Sequence, residues 1–158
     1  MESELELIKI QDEVLRKIGR NLLNFQKIEQ LLKLLIANGR VSGHMSETKE
    51  ILERQAAAVH KQTMGNLVGK FVDNTLLGHE ESSQTPFEPK EPYFSLSFNV
   101  NADADFYESK KQALKSLVDE RNDLIHHLLP RFNPESIESC MEIEQYLGRW
   151  CINPLNLA

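Results

Sequence analysis

One six-residue segment of the sequence, RNDLIH at positions 121–126, combines residue types that can do chemistry. Histidine titrates near neutral pH, so His126 can accept or donate a proton. Arg121 can stabilise negative charge that develops on a phosphate. Asn122 lies one helical turn before His126, where it can orient the imidazole or bind the phosphate. These three residues place a potential base, a cation and an amide within six positions of one another.

The segment lies near the end of a predicted long helix, where Arg121 occupies the apolar side. At 100° per residue, six apolar residues fall within about 60° of Arg121. They are Leu114, Leu117, Val118, Leu124, Ile125 and Leu128. A charge in that position is costly unless it is paired or faces a shared interface.

His126 points about 140° away from Arg121 in a straight helix. The two side chains can meet at one phosphate only if the last turn distorts or if a second subunit contributes one of them. The helical geometry favours a site shared between two subunits. Asp123 and His127 lie together on a different side of the helix, and His127 is the second candidate for the acting base.

A structural interpretation of the same residues also fits the sequence. Glu29 lies within the apolar stripe of the predicted first helix, where it can pair with Arg121 and hold two helices in register. His126 and His127 would then be residues at a helix end, where the dipole favours a protonated imidazole. Pairing and catalysis are compatible, so Glu29, Asp123 and His127 are assigned supporting or structural roles.

The elements that must position the segment are predicted to be four helices in an antiparallel bundle, an all-α fold. Ser46 is predicted to cap the second helix, and Asp103 or Asp105 to start the third. The predicted helices span about 5–37, 46–77, 103–129 and 133–152. Residues 42–46 predict a turn. The alternating residues 93–100 predict a strand or hairpin arm within an insertion at 79–103.

Composition and charge limit the possible classes of protein. The 158 residues fit a single domain over 1–158. The acidic N-terminus and the absence of a long apolar run predict a cytoplasmic protein without a membrane partner. Residues 1–78 carry a net charge of +1 and residues 79–158 carry −7. An acidic chain disfavours broad nucleic-acid binding but leaves room for a small local site.

The sequence contains no motif that is typical of a metal or cofactor site. Cys140 and Cys151 show no metal-ligand spacing with any histidine, and the other histidines are scattered. The two thiols are expected to be reduced and buried. No glycine-rich phosphate loop is present, so no cofactor is expected.

The pattern Arg121-Asn122-(x)3-His126, at the end of an apolar helix just before Pro130, resembles the HEPN superfamily. Residues 24–32 and 63–69 also resemble the first- and second-helix segments of such proteins. The resemblance covers most of the chain except the insertion near 79–103.

The resemblance implies a metal-independent endoribonuclease that works as a homodimer on an RNA substrate. Arg121, Asn122 and His126 would be its catalytic residues. It also implies a toxin–antitoxin or phage-defence setting, with a nucleotidyltransferase-like antitoxin as a possible partner. A non-catalytic HEPN-like domain for dimerisation or protein interaction is the alternative.

Overall fold

The computed structural model describes residues 2–76 and 92–148. These residues are mostly helical, with five α-helices and a small antiparallel sheet of two strands. The helices are α1 (Glu2–Asn38), α2 (Thr48–His60), α3 (Met64–Phe71), α4 (Ala104–Asn122) and α5 (Ile137–Gly148). The strands are β1 (Arg40–His44) and β2 (Tyr93–Ser97). Residues 79–91 of the predicted insertion and the predicted end of the last helix, with Cys151, lie outside the described residues.

Contacts within the chain divide it into two compact units, residues 1–27 with 119–158 and residues 28–118. The unit boundaries fall inside α1 and α4. The antiparallel four-helix bundle and the single-domain organisation stay predictions. None of the described helices combines the length and apolar character that crossing a bilayer requires.

The first unit contains the RNDLIH segment, and α1 and α5 supply most of the rest of its core. Its buried apolar side chains are Val14, Ile18, Phe25, Leu124, Leu128, Cys140, Ile143 and Leu147. On α1 these recur at steps of four and seven, the spacing of one helical face, as predicted. Lys17 Nζ donates to Glu144 Oε1 at 2.7 Å and connects α1 to α5 at the edge of this core.

The second unit packs the end of α1 against α2 and α3. Its buried cluster is Leu32, Ala37, Val59, Leu67, Val68 and Val72, with Tyr107, Leu114 and Val118 of α4 packed against it. Asp103 begins α4, because its Oδ1 accepts a hydrogen bond from the Phe106 N–H at 2.7 Å. That helix start is confirmed.

The predicted second helix was wrong in its continuity and in its cap. The chain breaks between His60 and Met64, where the Thr63 side chain accepts from the Asn66 N–H and starts a separate helix. Ser46 lies instead in a short 3₁₀ turn, Met45–Glu47, that leads into α2. A threonine that can cap a new helix competes with continuation of the old one.

The turn predicted at residues 42–46 was also wrong, because residues 40–44 form β1. This strand pairs antiparallel with β2, placing Val41 opposite Leu96 and Gly43 opposite Phe94. The strand predicted at 93–100 is confirmed over Tyr93–Ser97. The sequence of β1 has little alternation, so its conformation depends on a partner that lies about 50 residues away in the sequence.

Candidate functional site

The RNDLIH segment lies where regular α-helix gives way to a π-helical segment. α4 ends at Asn122, and residues Asp123–Leu128 form the π segment. Its end is marked by a hydrogen bond from the Leu129 N–H to the carbonyl of Leu124, five residues earlier. A π turn holds about one residue more than an α turn, and such turns are frequent at functional sites.

The π segment brings together the three residues predicted to be catalytic. Arg121 Nη1 donates to Asn122 Oδ1 at 3.0 Å, and the same nitrogen lies 3.5 Å from His126 Nε2. Arg121 and Asn122 are half-buried, and His126 is exposed. One guanidinium nitrogen thus contacts both the amide and the imidazole at a surface that a ligand can reach.

Distortion of the last turn is one of the two arrangements that the sequence allowed. In a straight α-helix Arg121 and His126 would diverge by about 140°. In a π turn the hydrogen-bonding repeat is five residues, which equals the separation of Arg121 and His126. The two side chains therefore approach each other within one chain, and the helical geometry is no argument for a second subunit.

The π segment is held at both ends by side chains from later in the chain. Tyr146 of α5 donates its hydroxyl to Asp123 Oδ2 at 2.6 Å. Arg131 Nε donates to the carbonyl oxygen of His127 at 2.7 Å. Extra residues in a helix leave backbone groups without their usual partners, and the Arg131 contact satisfies one of them, the carbonyl of His127.

Burial is the main reason that the pKa of the Tyr146 phenol is raised above its ordinary value. The hydrogen bond to Asp123 and the nearby charges of Asp123 and Glu120 act in the same direction. Tyr146 therefore stays protonated and remains a donor to Asp123 throughout the neutral range.

His127, the second candidate base, lies in different surroundings from His126. It lines an open cavity of about 310 Å³ together with Asp119, Asn122 and Asp123. Two carboxylates beside His127 make this cavity unfavourable for a phosphate. The contact with Arg121 is made by His126, which makes His126 the better candidate of the two for work at a phosphate.

Glu29 has a partner within its own helix. Its Oε1 accepts from Lys33 Nζ at 2.8 Å, an i,i+4 pair in the second unit. Its ion pair with Arg121 stays a prediction.

No group of three or more His, Cys, Asp or Glu side chains within residues 2–76 and 92–148 has the geometry to hold a metal ion. Cys140 is free and buried among apolar side chains, and burial raises the pKa of its thiol. Comparison with family models, curated proteins and solved structures finds no match to this chain. Membership of the HEPN superfamily stays a prediction that rests on the sequence pattern.

Sequence analysis missed Tyr146 and Arg131 as parts of this site. Both act through contacts on the π segment, and helical periodicity contains no signal for them. The five-residue spacing of Arg121 and His126 was a signal, because it matches the π repeat. Pro130 was a second signal, since it removes an N–H donor two residues after the π segment.

Proposed function

We propose that this protein is a metal-independent endoribonuclease of HEPN type, with Arg121, Asn122 and His126 as its catalytic residues. The observation that supports this most directly is the placement of Arg121 Nη1 at 3.0 Å from Asn122 Oδ1 and 3.5 Å from His126 Nε2. A cation and a potential base then lie side by side, as attack on a phosphodiester requires.

In the proposed reaction, the bound phosphate draws Arg121 away from His126, and Nε2 of His126 then accepts the proton of an RNA 2′-hydroxyl. The 2′ oxygen forms a bond to the adjacent phosphorus, and the bond from phosphorus to the 5′ oxygen breaks. The leaving 5′ oxygen takes a proton from water, giving a 2′,3′-cyclic phosphate and a 5′-hydroxyl end. Arg121 stabilises the charge that builds on the phosphorane oxygens, and Asn122 keeps the guanidinium in place.

The test is cleavage of a fluorescently labelled single-stranded RNA by purified protein in the presence of EDTA. We expect wild type to cleave, and His126→Ala and Arg121→Ala to be at least ~100-fold slower, the usual effect of losing an acid–base or charge-stabilising group. His127→Ala is the matched control, because it removes the adjacent imidazole; its rate should stay within about threefold of wild type.

The substrate and products provide a second check on the chemistry. A DNA strand of the same sequence should not be cut, because it lacks the 2′-hydroxyl nucleophile. The RNA fragments should carry cyclic phosphate ends that acid converts to monophosphates. Equal rates for wild type and His126→Ala, or cleavage of the DNA strand, would refute the proposal.

We propose that in the cell the protein acts as a toxin–antitoxin or phage-defence effector. Induced expression of wild type should then arrest growth and fragment RNA, whereas His126→Ala should do neither. A nucleotidyltransferase-like antitoxin is the proposed restraining partner, and its co-expression should restore growth. If growth stays arrested when the antitoxin is co-expressed, the proposed partner is refuted.

A second candidate function is a non-catalytic domain for dimerisation or protein interaction. It is favoured by the apolar side chains that α1 exposes in the first unit. Leu5, Ile8, Leu15 and Leu23 are 58%, 53%, 46% and 58% exposed. At 100° per residue all four fall within about 80° on one side of the helix, with the exposed Asp12 among them, and exposed apolar side chains grouped on one side favour an interaction surface.

Mass measurement in solution tests the homodimer that both candidate functions include. We expect twice the chain mass by light scattering, and the monomer mass for Leu15→Glu with Leu23→Glu. A monomeric wild type would remove the homodimer from both candidates. A dimeric wild type without RNA cleavage would favour the interaction domain.

A further inference from the structure

We propose that Tyr146 is a positioning residue, whose hydroxyl holds Asp123 so that the π segment keeps His126 beside Arg121. The inference deepens the proposed function and rests on it for its catalytic consequence. The positioning itself can be measured without any cleavage.

The approach of His126 to Arg121 depends on the π geometry. If residues 123–128 relaxed to α-helix, His126 would turn to about 140° from Arg121 and the 3.5 Å contact would be lost. π turns are rare, and they occur mostly as single-turn interruptions of α-helices. The alternative α geometry is therefore the local preference, and something outside the helix must oppose it.

The Tyr146 hydroxyl is placed to provide that opposition. Asp123 is the first residue of the π segment, and the 2.6 Å bond from Tyr146 fixes it to α5, at a position 23 residues further along the chain. Both side chains are half-buried. A short hydrogen bond to a carboxylate is among the stronger hydrogen bonds in proteins. This one is made at Asp123, the residue at which α-helix changes to π-helix.

The opposite end of the π segment has its own contacts. Arg131 Nε donates to the His127 carbonyl, and Leu124 and Leu128 are both buried. Loss of the Tyr146 hydroxyl should therefore leave the helix packed in its core. The position of Asp123 should change and, with it, the direction of His126.

The chain provides a matched control for a general effect of α5. Glu144, two residues before Tyr146, joins α5 to α1 through Lys17 at 2.7 Å. Glu144→Gln weakens a contact of the same helix but leaves Asp123 untouched. A change that Tyr146→Phe causes and Glu144→Gln does not is specific to the Tyr146 hydroxyl, and Asp123→Ala tests whether it belongs to the bond with Asp123.

The first measurement is the tautomer of His126, read from the ring nitrogens of ¹⁵N-histidine-labelled protein by NMR. Contact between an Arg121 N–H and Nε2 favours the tautomer with its proton on Nδ1. We expect wild type and Glu144→Gln to show this tautomer, and Tyr146→Phe to lose the preference while remaining folded. An unchanged tautomer in Tyr146→Phe, or the same loss in Glu144→Gln, overturns the inference.

The second measurement is the rate of RNA cleavage. Tyr146→Phe should lower kcat by about 10- to 100-fold, the cost of a small misplacement of a catalytic group, and leave KM within about threefold. Glu144→Gln should keep the wild-type kcat. Asp123→Ala should lower kcat as much as Tyr146→Phe does. The double variant should be no slower than either single variant, because both remove the same hydrogen bond.

The two measurements separate the inference from the proposed function. If wild type cleaves no RNA but the tautomer changes as expected, the positioning role holds and the nuclease proposal falls. If wild type cleaves RNA and Tyr146→Phe does so equally well, the positioning role falls and the nuclease proposal holds.

Discussion

Deletion of Ile125 should leave the protein folded, although it removes a residue from within a helix. Residues Asp123–Leu128 form a π segment that holds about one residue more per turn than α-helix. Removing one residue converts the segment to α-helix and keeps the register of the residues beyond Leu128. Arg121 and His126 become four residues apart, about 40° on the helix surface, so they remain neighbours.

The expected change in the free energy of unfolding is small because two effects oppose each other. Ile125 is half-buried, and its loss costs about 1 kcal/mol, roughly half the value for a fully buried side chain. Regular α-helical hydrogen bonding returns about 0.5–1.5 kcal/mol. The net change should be less than about 1 kcal/mol.

Deletion of Lys115 is the matched control, since this exposed residue lies in the regular part of α4. There is no extra residue to absorb the loss, so the helix on one side of the deletion rotates by about 100°. Leu124 and Leu128 are buried in the core, at 2% and 7% exposed. If the rotation takes them out of it, the free energy of unfolding falls by about 2–3 kcal/mol for each. The expected loss is therefore about 4–6 kcal/mol.

Urea denaturation followed by far-UV circular dichroism separates the two deletions. With a slope of about 1–3 kcal/mol per molar urea, deletion of Ile125 should move the midpoint by less than about 1 M. Deletion of Lys115 should move it by about 1.3 M or more, or prevent folding. If both deletions damage the protein equally, residues 123–128 do not contain a one-residue insertion and the π-based account of the site is refuted.

Three further variants test the packing around the site and the core. Tyr146→Phe should lower the free energy of unfolding at pH 7 by about 1–2 kcal/mol, through loss of its hydrogen bond to a carboxylate. Burial raises the pKa of the Tyr146 phenol in the folded protein well above its ordinary value near 10. The stabilising contribution of the phenol is therefore complete below about pH 10, and in urea titrations wild type, unlike Tyr146→Phe, should lose it progressively as the pH rises above about 10. Leu67→Ala removes a fully buried side chain and should lower the free energy of unfolding by about 3–5 kcal/mol. Leu31→Ala, at a side chain that is 54% exposed, should lower it by less than about 1 kcal/mol. Similar losses for the two variants would contradict the assigned core. Gly43→Ala should lower the free energy of unfolding by about 1–3 kcal/mol, because the added Cβ would lie 2.3 Å from Ile51 Cδ1. Ile51→Val removes that methyl group, so the double variant should recover part of the loss in urea denaturation.

Local patterns predicted the elements that are stabilised by their own sequence. α1 buries an apolar stripe that includes Val14, Ile18 and Phe25, and it ends at Asn38, just before Gly39. Asp103 supplies the side-chain acceptor that starts α4. In both cases the determining interactions lie within a few residues of each other, so spacing alone reveals them.

Features that depend on distant partners escaped the same reasoning. β1 is a strand because residues 40–44 pair with residues 93–97. Local preference does not determine this strand, since propensity is a weak guide where tertiary contacts compete with it. The break before α3 was missed for a different reason: the Thr63 cap is local, but it competes with an otherwise continuous apolar pattern.

The candidate site divides in the same way between sequence and tertiary structure. The sequence by itself determined which residue types are present and that Arg121, Asn122 and His126 stand close to a helix end. Only the tertiary structure decided that Arg121 and His126 approach each other, because this requires a π segment tied to Tyr146, 23 residues beyond Asp123. A helix in isolation prefers α geometry, so a geometry that opposes this preference must be stabilised by contacts from elsewhere in the chain.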